Sequence, residues 1–162
     1  TIAWTEGMNK VDTKAGLLLG ELGAPGPAGK IITPGVYNEA NLGFAANSVA
    51  TFDALNDATA VFIIKVGTIG GAGDFTDSGT LLLPTVIKLV NGAQARNIWF
   101  VVGRDITIGR GTTWNGNILA GRTATVKDGS TVNGRVLARA GGAGAITLTG
   151  AESPSRTTIS VP

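Results

Sequence analysis

The side chains able to do covalent or acid–base chemistry are few. The 162 residues hold 11 carboxylates and 13 Lys and Arg, with no His and no Cys. Thiolate nucleophiles, imidazole bases, disulfides and thiolate metal sites are therefore excluded. No carboxylate pair recurs at a spacing that suggests a general acid and its base. Gly71-Ala72-Gly73 lacks the third glycine of a dinucleotide loop, because Thr76 stands in its place, and no clear strand-to-helix context follows. The acid at Asp74 falls one place short of where a calcium β-roll repeat needs it, so Asp74 and Asp77 are read as solvated carboxylates of a flexible loop. The expectation is a protein that is not an enzyme and that carries no cofactor and no resident metal.

What does recur is a set of hydroxyls and carboxamides. GTTWNGNILAG (Gly111 to Gly121) aligns without a gap on GSTVNGRVLAR (Gly129 to Arg139), with six of eleven positions identical at an offset of 18 residues. The offset superposes Thr113 on Thr131 and Asn115 on Asn133, and it also relates Thr107 to Thr125. Eighteen residues divide into three short strands and three corners, one turn of a three-sided β-solenoid. Alternation along each strand then assigns direction. Ile106 and Ile108, Ala124 and Val126, and Ile146 and Leu148 point inward on one face, leaving Thr107, Thr125 and Thr147 as an outward column beside Asp105, Thr123 and Ala145. On the next face Trp114, Val132 and Ile159 point in, while Thr113, Thr131 and Thr158 form a second outward column alongside Asn115, Asn133 and Ser160. Thr is favoured on any exposed strand, so columns alone do not define a function. Asn97 reads as a corner residue that hydrogen-bonds backbone.

The elements that carry these columns follow from the surrounding pattern. Apolar residues make up 43% of the chain and charged ones 15%, which favours a folded core over disorder. The 25 glycines show no collagen-like period and point to many tight corners. Trp4, Met8, Val11, Ala15, Leu18 and Leu22 are spaced by three and four, which predicts one amphipathic helix over about residues 3–22. Gly7, Gly16 and Gly20 each weaken it by about 1 kcal/mol relative to Ala, so it needs a surface to lie against. Ile98 to Val102 and Ile118 to Ala120 are apolar at successive positions, as in strands buried on both sides. The helix is the expected cover for that third face. The fold expected is thus mainly β, a single domain over 1–162, with the solenoid spanning about 30–162 and one long α-helix packed along it. Scattered basic residues give no nucleic-acid footprint, and no apolar run reaches a membrane span.

Six ordered signatures from Ile32 to Leu148 resemble the microbial ice-binding proteins. They are Thr33-Pro34-Gly35-Val36-Tyr37, Ala60-Val61-Phe62-Ile63-Ile64, Asn91-Gly92-Ala93-Gln94-Ala95, Asn97-Ile98-Trp99-Phe100, Gly116-Asn117-Ile118-Leu119-Ala120 and Gly134-Arg135-Val136-Leu137-Ala138-Arg139. The resemblance implies a secreted, non-enzymatic protein that adsorbs to ice through a flat solenoid face. Thr113, Asn115, Thr131, Asn133, Thr158, Ser160, Thr107, Thr123, Thr125 and Thr147 are then the candidate contacts, and ice or a water surface the partner. The sequence leaves open whether Arg104, Asp105, Arg110, Arg122 and Lys127 stand on the flat faces or at corners. The resemblance also implies a stretch of solenoid ahead of the helix, which this sequence lacks. Either the chain is trimmed there, or another chain completes the open coil by β-augmentation. The alternative function is accordingly an extracellular structural subunit that assembles with copies of itself into a filament or surface layer.

Overall fold

A computed structural model describes residues 22–68, 72–139, 144–150 and 157–161. The chain winds through three parallel sheets in strict rotation. The first rung is β1 (Lys30–Ile32), β2 (Gly35–Glu39) and β3 (Leu42–Phe44); the second is β4 (Val49–Asp53), β5 (Phe62–Val66) and β6 (Phe75–Asp77). The third is β7 (Val86–Val90), β8 (Ile98–Val102) and β9 (Ile106–Ile108), and the fourth β10 (Thr113–Asn115), β11 (Asn117–Ala120) and β12 (Thr123–Val126). The fifth is β13 (Thr131–Asn133), β14 (Val136–Ala138) and β15 (Ala145–Leu148), and β16 (Thr158–Ser160) begins a sixth. Sheet A therefore stacks six strands, β1-β4-β7-β10-β13-β16, whereas sheet B (β2 to β14) and sheet C (β3 to β15) stack five each. This is the mainly β, three-sided solenoid that the 18-residue offset predicts. The predicted helix over about 3–22 lies outside the described residues, except for Leu22, which is buried in the solenoid core.

The repeat length is less uniform than the sequence suggests. Thr113 pairs with Thr131 and Phe100 with Ile118, both 18 residues apart. Ala50 pairs with Ile87, however, and Phe62 with Ile98, so the earlier rungs are about twice as long. The extra residues lie between strands, and the stacked strands keep register across them. The minimal corners need glycine. Gly111 and Gly129, at equivalent corners, both have positive φ, near +70°. At Gly134 a Cβ would sit 2.1 Å from the carbonyl oxygen of Gly116 in the rung beneath, a close approach that only glycine allows.

Inward rows pile like on like. Leu42, Phe75, Ile106 and Ala124 form one row of sheet C, all nearly solvent-free, and Phe44, Ile108 and Val126 another. Each large aliphatic side chain so buried stabilises the fold by about 1.5–3 kcal/mol. Trp114 from sheet A lies at the centre of the aromatic packing, with its ring centroid 4.4 Å from that of Phe100 and 5.4 Å from that of Phe75. Sheet B is apolar on both faces, as expected. Val36, Ile63, Val101 and Leu119 point away from the interior yet are buried, with Trp99 packed against them.

Asp77 departs from the sequence reading. It is not a solvated loop carboxylate: its side chain occupies the inward row between Phe44 and Ile108 and is 1% exposed. Four donors compensate its burial. The backbone N–H of Gly79 (2.8 Å) and of Gly109 (2.8 Å), and the hydroxyls of Thr85 (2.9 Å) and Thr112 (2.6 Å), all donate to its oxygens. Thr85 and Thr112 belong to a column of buried hydroxyls at the corner leading into sheet A. Ser48 continues it by donating to the Ala45 carbonyl (2.6 Å), and Ser130 by donating to the Gly109 carbonyl (2.5 Å). A second polar pin is Asn117, fully buried, whose amide donates to the carbonyls of Arg96 (3.0 Å) and Ile98 (3.1 Å) while its oxygen accepts from Arg135 N–H.

Charged residues gather at corners and at the edge of sheet C. Asp105 pairs with Arg122 of the next rung, Asp74 with Arg104 (3.3 Å) and Asp128 with Arg110. Hydrogen bonding from Arg122, opposed by partial burial, holds the Asp105 carboxyl below its ordinary range.

Two outcomes follow for stability. Asp77→Ala strips four buried donors of their acceptor and should cost about 2–4 kcal/mol, measured by denaturant unfolding, whereas Asp77→Asn keeps one acceptor and should cost less. A lowered carboxylate stabilises the fold above its unfolded value near 3.9 and loses that contribution as pH falls through the lower folded value. Replacing Asp105 with Asn should therefore remove a small stabilisation, about 0.5 kcal/mol, at pH 7, and flatten the decline in stability below about pH 4. Urea titrations of both proteins at pH 7 and pH 3 measure the difference.

Candidate functional site

Two outward faces carry the hydroxyls singled out in the sequence, and sheet register decides how each is built. In sheet A, Thr113 pairs with Thr131 and Thr131 with Thr158, while Asn115 pairs with Asn133 and Asn133 with Ser160. Six of the ten candidate residues therefore form two straight columns on one face. Their side chains are half-buried in the inner rungs and exposed at β16. Within a column, neighbours repeat at about 4.7–4.9 Å, and along a strand same-side residues repeat at about 6.6–6.8 Å. The carboxamides are held in place: Asn133 Nδ2 donates to Asn115 Oδ1 (2.9 Å), and Asn115 Nδ2 donates to the Ile87 carbonyl (2.6 Å). A hydrogen-bonded carboxamide loses little further entropy on meeting a partner.

Towards β1 the same columns change character. Thr113 is continued by Val86 and Val49, and Asn115 by Lys88, Thr51 and Ile31. Residues 24–29 lie against these rungs. Ala24 bridges Val49, the Ala28 carbonyl accepts from the Thr51 hydroxyl, and the Pro27 carbonyl accepts from Lys88 Nζ. Thr51 is buried as a result. The sequence reading took Gly23, Pro25 and Pro27 only as helix terminators and missed this strap. The open, uncharged part of sheet A thus extends from β10 to β16.

Sheet C brings the other four together. Thr107, Thr125 and Thr147 are in register, and Thr76, which the sequence reading passed over, extends their column towards β3. Thr123 lies in the neighbouring column between Asp105 and Ala145. That column also contains Asp74, and the Asp74–Arg104 and Asp105–Arg122 pairs border it. Arg104 and Arg122 come from the corner between sheets B and C, and Arg110 and Lys127 from the corner between sheets C and A. Corner placement holds for these four cations but not for Asp105, whose carboxylate belongs to the outward face of sheet C. Asn97 stands at a corner as expected, donating to the Ala58 carbonyl (3.1 Å). It is not in register with Asn115, whose partner in the preceding rung is Lys88.

Among the described residues no group of His, Cys, Asp or Glu is arranged to hold a metal ion. The surface instead offers hydroxyls, methyls and amides on a rigid lattice, suited to adsorption against an extended array.

Comparison with known proteins agrees with that architecture. The family model described as ice-binding-like matches residues 3–153. An ice-binding protein of Nostoc sp. (strain HG1) is 33% identical over 92 residues, which is 57% of this chain and 30% of that protein. The crystal structure of an ice-binding protein from an Antarctic biological consortium superposes on 99% of this chain with a TM-score of 0.75 and 28% identity. The ice-binding protein 1 domain of Shewanella frigidimarina does so with a TM-score of 0.72 and 26% identity. This chain spans 62% and 58% of those two structures. With the family model matching most of its length, the chain is a member of the ice-binding-like family.

Proposed function

We propose that the protein acts outside the cell by adsorbing to ice through the open part of sheet A, without catalysis, and that Thr113, Thr131 and Thr158 with Asn115, Asn133 and Ser160 form the contact. The observation that carries this reading is the pair of uncharged columns held in register across three successive rungs of a family solenoid. Thr methyls disfavour bulk-like hydration, while hydroxyls and carboxamides can hydrogen-bond water at fixed positions. A rigid grid of this kind holds a layer of water in one arrangement at small entropic cost. Sheet C has an equally straight Thr column but borders it with two ion pairs. Ionised groups bind their own hydration shells strongly, and this favours sheet A over Thr107, Thr123, Thr125 and Thr147 as the contact.

The test compares two bulky substitutions at equivalent outward positions. Thr131→Tyr should lower inhibition of ice recrystallisation by at least an order of magnitude while circular dichroism and melting temperature stay close to those of the parent. Thr125→Tyr on sheet C should leave the activity within a factor of two or so. If Thr125→Tyr abolishes activity and Thr131→Tyr does not, the face is sheet C. If the parent protein neither inhibits recrystallisation nor shapes ice crystals at micromolar concentration, the ice reading fails.

A further inference from the structure

The two ends of the solenoid are finished differently. At the β1 end the inward residues are shut away from solvent: Leu42 is 5% exposed and Phe44 2%. At the other end the same two inward rows finish on Ile146 and Leu148, which are 48% and 51% exposed. Leu137, on the outward side of β14, is also exposed. Core-facing aliphatics half open to water at one end only mark a coil whose covering layer is absent there. The strand count shows which layer. Sheet A has a sixth strand, β16, while sheets B and C stop at five, so the end is a step whose missing parts are one strand on β14 and one on β15.

We infer that this step is a docking site for an extended strand–corner–strand segment of another polypeptide, added in parallel to the free edges of β14 and β15. The occupant alternates apolar and polar residues, with the apolar ones covering Ile146 and Leu148. It is acidic, because the rim is cationic. Lys127, Arg135 and Arg139 are exposed around this end, and the described residues from Gly129 onward include no carboxylate. A second copy of the whole chain fits less well. Tail to tail, it opposes the same cations to themselves. Head to tail, its β1 competes with β16 for one level of sheet A while sheets B and C are still to be filled. The solved relatives also contain polypeptide beyond the part that superposes on nearly all of this chain. This inference concerns the end of the solenoid and does not depend on ice binding.

A suitable probe copies β11, its corner and β12, which occupy the equivalent place one rung earlier on β8 and β9. It is a synthetic peptide of residues 117–126 carrying Arg122→Glu, which sets an acid beside Arg139. Hydrogen exchange of the intact chain is followed with and without the peptide. Binding should slow exchange of the amides of 136–138 and 145–148 by about tenfold or more, and a scrambled peptide should not. Leu148→Lys, at a position already half exposed, should keep the fold by circular dichroism and abolish the effect. Three results would overturn the inference: no slowing at these amides, equal slowing in Leu148→Lys, or protection of the same amides in the chain alone that rises with protein concentration and accompanies self-association in sedimentation. The last assigns the end to a second copy, the assembly that the sequence raised as an alternative.

Discussion

Every part of this structure depends on one constraint, that parallel strands from successive turns hydrogen-bond in exact register. Once Thr113 is paired with Thr131, alternation carries Trp114 over Val132 and Asn115 over Asn133 without further instruction. Inner and outer rows are therefore set together. A slip of one residue would turn Trp114 outward and bring Thr113 into a core that has no partner for its hydroxyl. Core packing and surface lattice are consequences of the same ladder, and neither can be altered alone. The buried hydroxyls at the corner into sheet A and the Asp77 carboxylate that ties Thr85 to Thr112 fix where each turn enters that ladder. The polar interior thus has a positional role that apolar packing, tolerant of sliding, does not supply.

How much of this could be read from the sequence depended on whether the signal was periodic. The offset between Gly111–Gly121 and Gly129–Arg139 contained the winding, the inward set and both Thr columns, because stacked turns must reuse the same residue types at the same places. Where turns are longer, as between Ala50 and Ile87, the offset disappears and register is visible only in space. Thr76 was missed for that reason: its partner Thr107 is 31 residues away, across a long loop. Asp77 was misread because its neighbours Gly73, Asp74 and Gly79 have loop composition, while its burial depends on Thr85 and Thr112, which are distant in sequence. A periodic clue did exist, since Ser48, Thr85, Thr112 and Ser130 each precede the first residue of a sheet A strand.

The contrast between the two outward faces is electrostatic. Both carry Thr columns of similar length, so hydroxyl content does not separate them. The acids Asp74 and Asp105, spaced one turn apart on sheet C, recruit Arg104 and Arg122 from the adjoining corner and convert that border into a chain of ion pairs. Sheet A has a single cation in its columns, Lys88, and the strap of residues 24–29 covers it. One face is thereby left hydrated and the other free of charge from β10 onward.

The unequal coil lengths have a consequence for how such a molecule can change size. Between Phe100 and Val136 the chain spends the fewest residues per storey, and nothing in those storeys protrudes. Copying any stretch of one period there, in frame, would insert a complete storey: one strand for each wall, three corners and one more Thr and Asn on the flat wall. Material on either side would move apart by a single strand spacing and keep its alignment. The earlier storeys lack this property, because copying one would duplicate its loops as well. The tight half of the solenoid is thus the part in which the lattice can lengthen stepwise while the remainder keeps its shape.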